Sequence, residues 1–190
     1  MMLKELFMFL GKNKKFIYFA LSFVIISVVI MSFLPISNEL KNNIFFMFKN
    51  YIWNMAHMSW FDLAWHIFLN NSFVGLIILL WGFIFSLPAV IIVLINSFVI
   101  VVISSLALWK IWIEKTILTM LPHWIFEISA IILCIAMSFK ISYLLYKKLR
   151  KKEKIYWELK EVFVFFLLFI IPMFFVAAMI ESFITPLLIK

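Results

Sequence analysis

Two carboxylates stand inside stretches that otherwise carry no charge. Glu127 lies in Leu121-Pro122-His123-Trp124-Ile125-Phe126-Glu127-Ile128-Ser129-Ala130, and Glu181 in Ala177-Ala178-Met179-Ile180-Glu181-Ser182-Phe183-Ile184-Thr185-Pro186. On a helix His123 and Glu127, four apart, share one face. Ala130, Cys134 and Ser138 extend that face, and Ala177 and Thr185 flank Glu181 at steps of four. An ionisable group in an apolar helix is expensive, so it usually faces other protein, where it pairs, binds an ion or passes protons. The plainer reading is that Glu127 ties helices together through hydrogen bonds. His and carboxylates are also zinc ligands, but the chain has no HExxH and the His–Glu spacing alone does not specify a metal site. His57 and His66 are nine apart, which is no ligand spacing on one helix. The expectation is no metal and no cofactor.

The elements that must position these groups are membrane helices. Of the 190 residues 67% are apolar, and the mean hydropathy is +1.16. That composition excludes a water-soluble domain. Phe16–Asn38, Leu63–Trp109 and Val162–Ile180 contain no Asp, Glu, Lys or Arg, and Glu127 alone interrupts Thr116–Phe139. A helix needs about 20 apolar residues to cross a bilayer, so Leu63–Trp109 is long enough for two crossings. Pro88, near its middle, is a plausible break because its ring cannot continue a hydrogen-bonded helix without strain. The reading is an all-α integral membrane protein: one membrane domain over 1–190, a bundle of about five spans near 16–35, 67–87, 88–109, 122–146 and 161–186. The first span follows a short amphipathic start, Leu3–Leu10. It is too long for a signal peptide and no small-residue cleavage site follows, so it reads as an uncleaved anchor.

The net charge of +8 is not spread evenly. Lys4, Lys12, Lys14 and Lys15 precede the first span. Lys147, Lys148, Arg150, Lys151, Lys152, Lys154 and Lys160 lie between the last two. These segments hold eleven of the 17 basic residues. Basic loops stay cytoplasmic, and an even number of spans between the two segments keeps both there. Five spans meet that condition, with the N-terminus inside the cell membrane and the C-terminus outside. Such a basic loop suits anionic lipid headgroups rather than nucleic acid. Lys140 reads as a residue that snorkels toward the same headgroups. Trp53, Trp60, Trp65, Trp109, Trp112 and Trp124 fall in or beside the outer segments, Trp157 in the inner loop, and Trp81 alone well inside a span. That agrees with tryptophan's preference for the interface.

The segment Ile36–Asp62 mixes asparagines with Phe, Tyr and Trp, as a helix lying in the interface does. It is a candidate surface for protein partners or a second copy of the chain, or simply a cover for the bundle. In the second span Asn71, Gly75, Gly82 and Ser86 recur on one face, where small residues let helix backbones approach closely. Asn96, alone in the third span, needs a hydrogen-bond partner. Cys134 reads as a small packing residue. The expected topology places Asn70, Asn71, His123, Glu127 and Glu181 at similar depth near the outer face, as a candidate polar cluster.

Here the residues reach a resemblance. Leu121–Glu127, the segment Ala177–Pro186 and the preceding Asn70-Asn71 pair resemble the stage II sporulation protein M family, particularly its members outside sporulation. The family pairs an LPHGxFE-like segment with an AAxIExFxTP-like one. The likeness runs from about Asp62 to Pro186. Trp124 stands where Gly is usual, Ser129 where Pro is usual, and Ser97 where Gly is common. The resemblance implies a multi-pass membrane protein, whose sporulation members act in a complex with cell-wall-degrading enzymes. Three classes follow: an assembly subunit or scaffold that binds protein partners, a small transporter or lipid-handling protein, and an intramembrane metal-dependent hydrolase. The first is the reading adopted, with the second as its alternative. No inverted repeat supports a standard secondary transporter.

Overall fold

In hydrocarbon a backbone has no water to bond, so charge-free stretches must satisfy their own N–H and C=O groups as helices. The computed structural model has that form. It describes the backbone of residues 3–56, 58–110 and 113–184, with side chains other than those of 3, 45, 48–49, 51–56, 99–100, 103–110, 113–124 and 184. Seven α-helices are present among these residues and no strand: α1 Leu3–Ser32, α2 Asn38–Ala56, α3 Trp60–Leu80, α4 Leu87–Lys110, α5 Ile113–Lys151, α6 Tyr156–Phe165 and α7 Ile171–Met179. A 3-10 turn, Trp81–Ile84, extends α3. Two π-helical segments, Phe166–Ile170 and Ile180–Ile184, join α6 to α7 and extend α7. The expected amphipathic start is continuous with α1. Trp53, His57, Trp109, Trp112, His123 and Trp124 lie outside the described side chains.

Among the described residues four helices are long and apolar enough to cross a membrane, rather than the five expected: Lys4–Ser32, Trp60–Ile84, Ile125–Lys151 and Tyr156–Phe183. The difference falls on the expected span 88–109. Helix α4 runs over Leu87–Lys110, but its side chains are described as a continuous apolar stretch only over Leu87–Phe98.

Side-chain contacts give the direction of each helix. Trp60 meets Phe183, Phe68 meets Phe175 and Phe83 meets Phe163, so α3 runs opposite to α6 and α7. Phe16 meets Tyr143, while Phe19 and Phe23 meet Phe139, so α1 runs opposite to α5. Gly75 lies against Cys134 and Gly82 against Ser138 and Ile141, so α3 and α5 are parallel. The chain therefore travels back along the bundle between α3 and α5, and α4, packed on α1, is the element that lies between them in sequence. Phe9 stacks on Phe165 at 4.5 Å and Lys12 pairs with Glu161 at 3.1 Å, so α1 and α6 start together. Both basic segments thus share one end of the bundle.

Helix α5 is the hub, with α1, α3 and α7 packed around it. Its face of Ala130, Cys134, Met137 and Ile141 is fully buried. On α1 the buried residues Leu6, Asn13, Ala20 and Ser27 recur every seventh position, with Phe9, Phe16 and Phe23 packed beside them. A strict seven-residue repeat is the seam of helices that wrap left-handedly. Asn13 satisfies its buried amide locally, donating to the Phe9 carbonyl at 2.8 Å.

The reversal between α3 and α4 is not at Pro88. Phe85 and Ser86 take left-handed backbone conformations, with φ 54° and 56°, and Pro88 sits in the first turn of α4. There its missing N–H has no helical partner to lose. Neither Phe nor Ser favours a left-handed conformation, so the turn is held from outside. The Ser86 hydroxyl is 3.0 Å from that of Ser138 and 2.6 Å from that of Ser142. Ser142 in turn donates to the Gly82 carbonyl at 2.9 Å.

Lys140 does not snorkel. Its residue is 3% exposed, its Nζ sits 4.6 Å over the Phe9 ring, and Glu161 Oε2 is 3.9 Å away. The reason is periodicity: Ala136 and Leu144, one turn either side, are core residues, so Lys140 points inward with them.

Candidate functional site

Three helices bring the polar residues toward the end of the bundle opposite the basic segments, where Trp60 of α3 packs edge-on against Phe183 at 5.9 Å. Helix α3 starts there with Ser59 as its N-cap; the Asp62 N–H donates to the Ser59 hydroxyl at 3.2 Å, and that hydroxyl donates to the Asp62 carboxylate at 2.6 Å. Such a cap satisfies an amide the first turn leaves unpaired. One helical stretch deeper, Asn71 projects between α3 and α5.

The Asn71 side-chain amide is hydrogen-bonded to the carboxylate of Glu127 on α5. Glu181 lies within electrostatic reach of Glu127. Both carboxylates are half-buried, as is Asn71. An amide N–H donating to a carboxylate is a charge-assisted bond, stronger than one between neutral groups. Ser182, beside Glu181, is fully buried and donates back to the Ala178 carbonyl at 2.8 Å.

Glu181 sits in the π-helical segment Ile180–Ile184. Wider turns of this kind occur often at functional sites, because they re-aim a side chain and free backbone groups. The first π segment, Phe166–Ile170, stands just before Pro172, which lacks the N–H a regular helix would use there. In the sequence a proline follows each irregular segment at the same distance, Pro172 after Ile170 and Pro186 after Ile184.

Asn70 is exposed and takes no part in the bonds of Asn71. His123 lies outside the described side chains. Gly75 and Gly82 are buried below the polar residues: a Cβ on Gly75 would meet the Phe174 ring at 2.7 Å and Cys134 Sγ at 3.1 Å. One residue that sequence reading passed over stands out. The Ser72 hydroxyl, next in sequence to Asn71, is buried with no hydrogen-bond partner among the described residues. Asn96, by contrast, is exposed on α4, beside Ile91 and Ile95, which also face outward. Among the described residues no group of three or more His, Cys, Asp and Glu side chains is placed to hold a metal ion.

The arrangement of Asn71, Glu127 and Glu181 can do two things chemically. It can lock α3, α5 and α7 through polar bonds that are hard to exchange in hydrocarbon, or it can offer paired carboxylates to a proton or cation. The family model described as stage II sporulation protein M matches residues 16–186. No curated protein and no solved structure matches the chain.

Proposed function

The chain belongs to the stage II sporulation protein M family, and on that premise we propose that it is a cell-membrane assembly subunit that holds partner helices against α4. The observation that carries this reading is Asn96. It is exposed on α4 between apolar neighbours, about 14 Å along the helix from Leu87. An amide turned outward at that depth in hydrocarbon needs a donor or acceptor from another helix. A partner membrane helix or a second copy supplies one. In this reading Asn71, Glu127 and Glu181, with His123 one turn before Glu127, form a polar cluster near the outer face that fixes α3, α5 and α7, and Asn70 stands outside it. The segment Asn38–Ala56 covers the outer end and adds contact surface.

The test is the size of the complex extracted in mild detergent from the membranes of its own host. The native chain is expected to migrate as an assembly larger than one copy, and Asn96→Leu as a smaller one, while Glu127→Gln leaves the assembly intact. Migration as a single copy, unchanged by Asn96→Leu, overturns the proposal. The alternative, a transporter or lipid-handling protein, draws on the neighbouring carboxylates. It requires proton or cation flux in proteoliposomes above that of empty vesicles, abolished by Glu127→Gln.

The orientation proposed is N-terminus inside and C-terminus outside. Support comes from the shared end of the two basic segments, and from α1 and α6–α7 running the same way. A phosphatase fused after Lys190 is expected to be active outside the cell. An inactive fusion with a cytoplasmic C-terminus would reverse the assignment.

A further inference from the structure

At the basic end of the bundle a groove of about 600 Å³ opens between α1 and α6. Its floor is apolar, with Met8, Phe9, Trp157 and Val164. Its charged walls are Lys12 and Lys160 against Glu5 and Glu161. Directly behind two of these residues lies Lys140, which touches the Phe9 ring and Glu161. The Lys140 ammonium is buried and has no hydrogen-bond partner among the described residues. An ammonium has three N–H donors, and burying one with none of them bonded is costly. The nearby carboxylates do not meet that need: Glu161 stands closer to Lys12, at 3.1 Å, than to Lys140, at 3.9 Å, and Glu158 acts on Lys140 only through space.

We propose that this groove binds one anionic phospholipid, its phosphodiester bridging Lys12, Lys140 and Lys160 and its acyl chains lying along Met8, Phe9 and Val164. The buried Lys140 ammonium, with no hydrogen-bond partner among the described residues, supports the phosphate, and Lys12 and Lys160 add positive charge against Glu5, Glu158 and Glu161. The apolar floor supports a lipid over free phosphate, which has no use for it. Trp157 adds an amphipathic ring of the kind that settles at headgroup level, with Lys160 Nζ 5.3 Å from its centroid. In the bound state Glu161 keeps Lys12, and a phosphate oxygen takes the Lys140 hydrogens. This site is separate from the exposed lysines of the loop after α5, whose lipid attraction is diffuse, and from the Asn71–Glu127 end of the bundle.

The experiment is native mass spectrometry of the full chain, stripped of lipid in neutral detergent and then given equimolar phosphatidylglycerol and phosphatidylcholine. One phosphatidylglycerol per chain is expected to survive, in preference to phosphatidylcholine. Lys140→Met is expected to reduce that preference about fivefold, the worth of one basic residue at a lipid headgroup, and Lys148→Gln to leave it unchanged. If Lys140→Met does not fold, Lys160→Gln, at an exposed position on the groove wall, is read in the same way. Equal retention of the two lipids overturns the proposal, as does a preference that survives both substitutions. Displacement of the lipid by equimolar glycerol 3-phosphate, a headgroup without tails, overturns it too, because the apolar floor would then play no part.

Discussion

Gly82→Ala is expected to destabilise the bundle more than any other single methyl addition in it. A Cβ at Gly82 would stand 2.6 Å from the Ser138 carbonyl oxygen and 2.7 Å from Ile141 Cβ. The first is backbone, so α3 and α5 must move apart as whole helices. Overpacking of a tight core costs about 1–3 kcal/mol, and separation of the helices would also stretch the Ser142 bond to the Gly82 carbonyl. Gly75→Ala meets the edge of the Phe174 ring instead, and a ring can turn. The measurement is the unfolding temperature in detergent of four variants: each glycine alone, Gly75→Ala with Phe174→Leu, and Gly82→Ala with Ile141→Val. The Phe174 change is expected to restore the first glycine variant. The Ile141 change is expected to leave the second impaired, since the carbonyl remains and valine keeps the Cβ and γ-methyl that crowd the new methyl. Native stability of Gly82→Ala would mean the helices do not touch there.

Asn71→Leu is the second large effect, and its size depends on Glu127. Removing the amide leaves the Glu127 carboxylate without the hydrogen bond that Asn71 supplies. An unsatisfied buried group costs about 1–3 kcal/mol, and more when charged, whereas replacing both partners by apolar groups is often close to neutral. The expected result is therefore non-additive: Asn71→Leu alone lowers the unfolding temperature, and adding Glu127→Leu recovers part of the loss. A double variant as unstable as the sum of the two singles would show that the residues act independently.

The membrane class was legible because charge is so sparse: stretches such as Phe16–Asn38 permit nothing but a helix in hydrocarbon. The polar residues of the site were legible as types, since each is conspicuous in its surroundings. Their contacts were not, because the bond between Asn71 and Glu127 joins residues far apart in the chain. The same limit explains the turn. Pro88 was the only local break signal in Leu63–Trp109, yet the chain reverses at Phe85–Ser86, held by Ser138 and Ser142 from another helix. Lys140 was misread for the opposite reason. The local signal existed, in Ala136 and Leu144 one turn away, but a lysine near a helix end invites the headgroup reading first. Among the described residues the span count is about four rather than five, and the difference lies at α4, described as an apolar stretch only over Leu87–Phe98.

Cys134 carries the only thiol in the chain, and it is wedged at full burial between Gly75 and Phe174, where α3, α5 and α7 meet. No reagent reaches it while those helices stay together. Its modification is therefore a clock for their separation. When reclosing is faster than alkylation, the labelling rate reports the fraction of molecules open at any moment; when alkylation is faster, it reports the opening rate itself. The clock needs no engineering, since every other position starts without sulfhydryl chemistry. It also runs in an intact membrane, where heat or denaturant would first disrupt the bilayer. A cysteine added at an exposed position would label at once and leave the slow phase to Cys134, so surface accessibility and core opening would be read from one sample on two separate timescales.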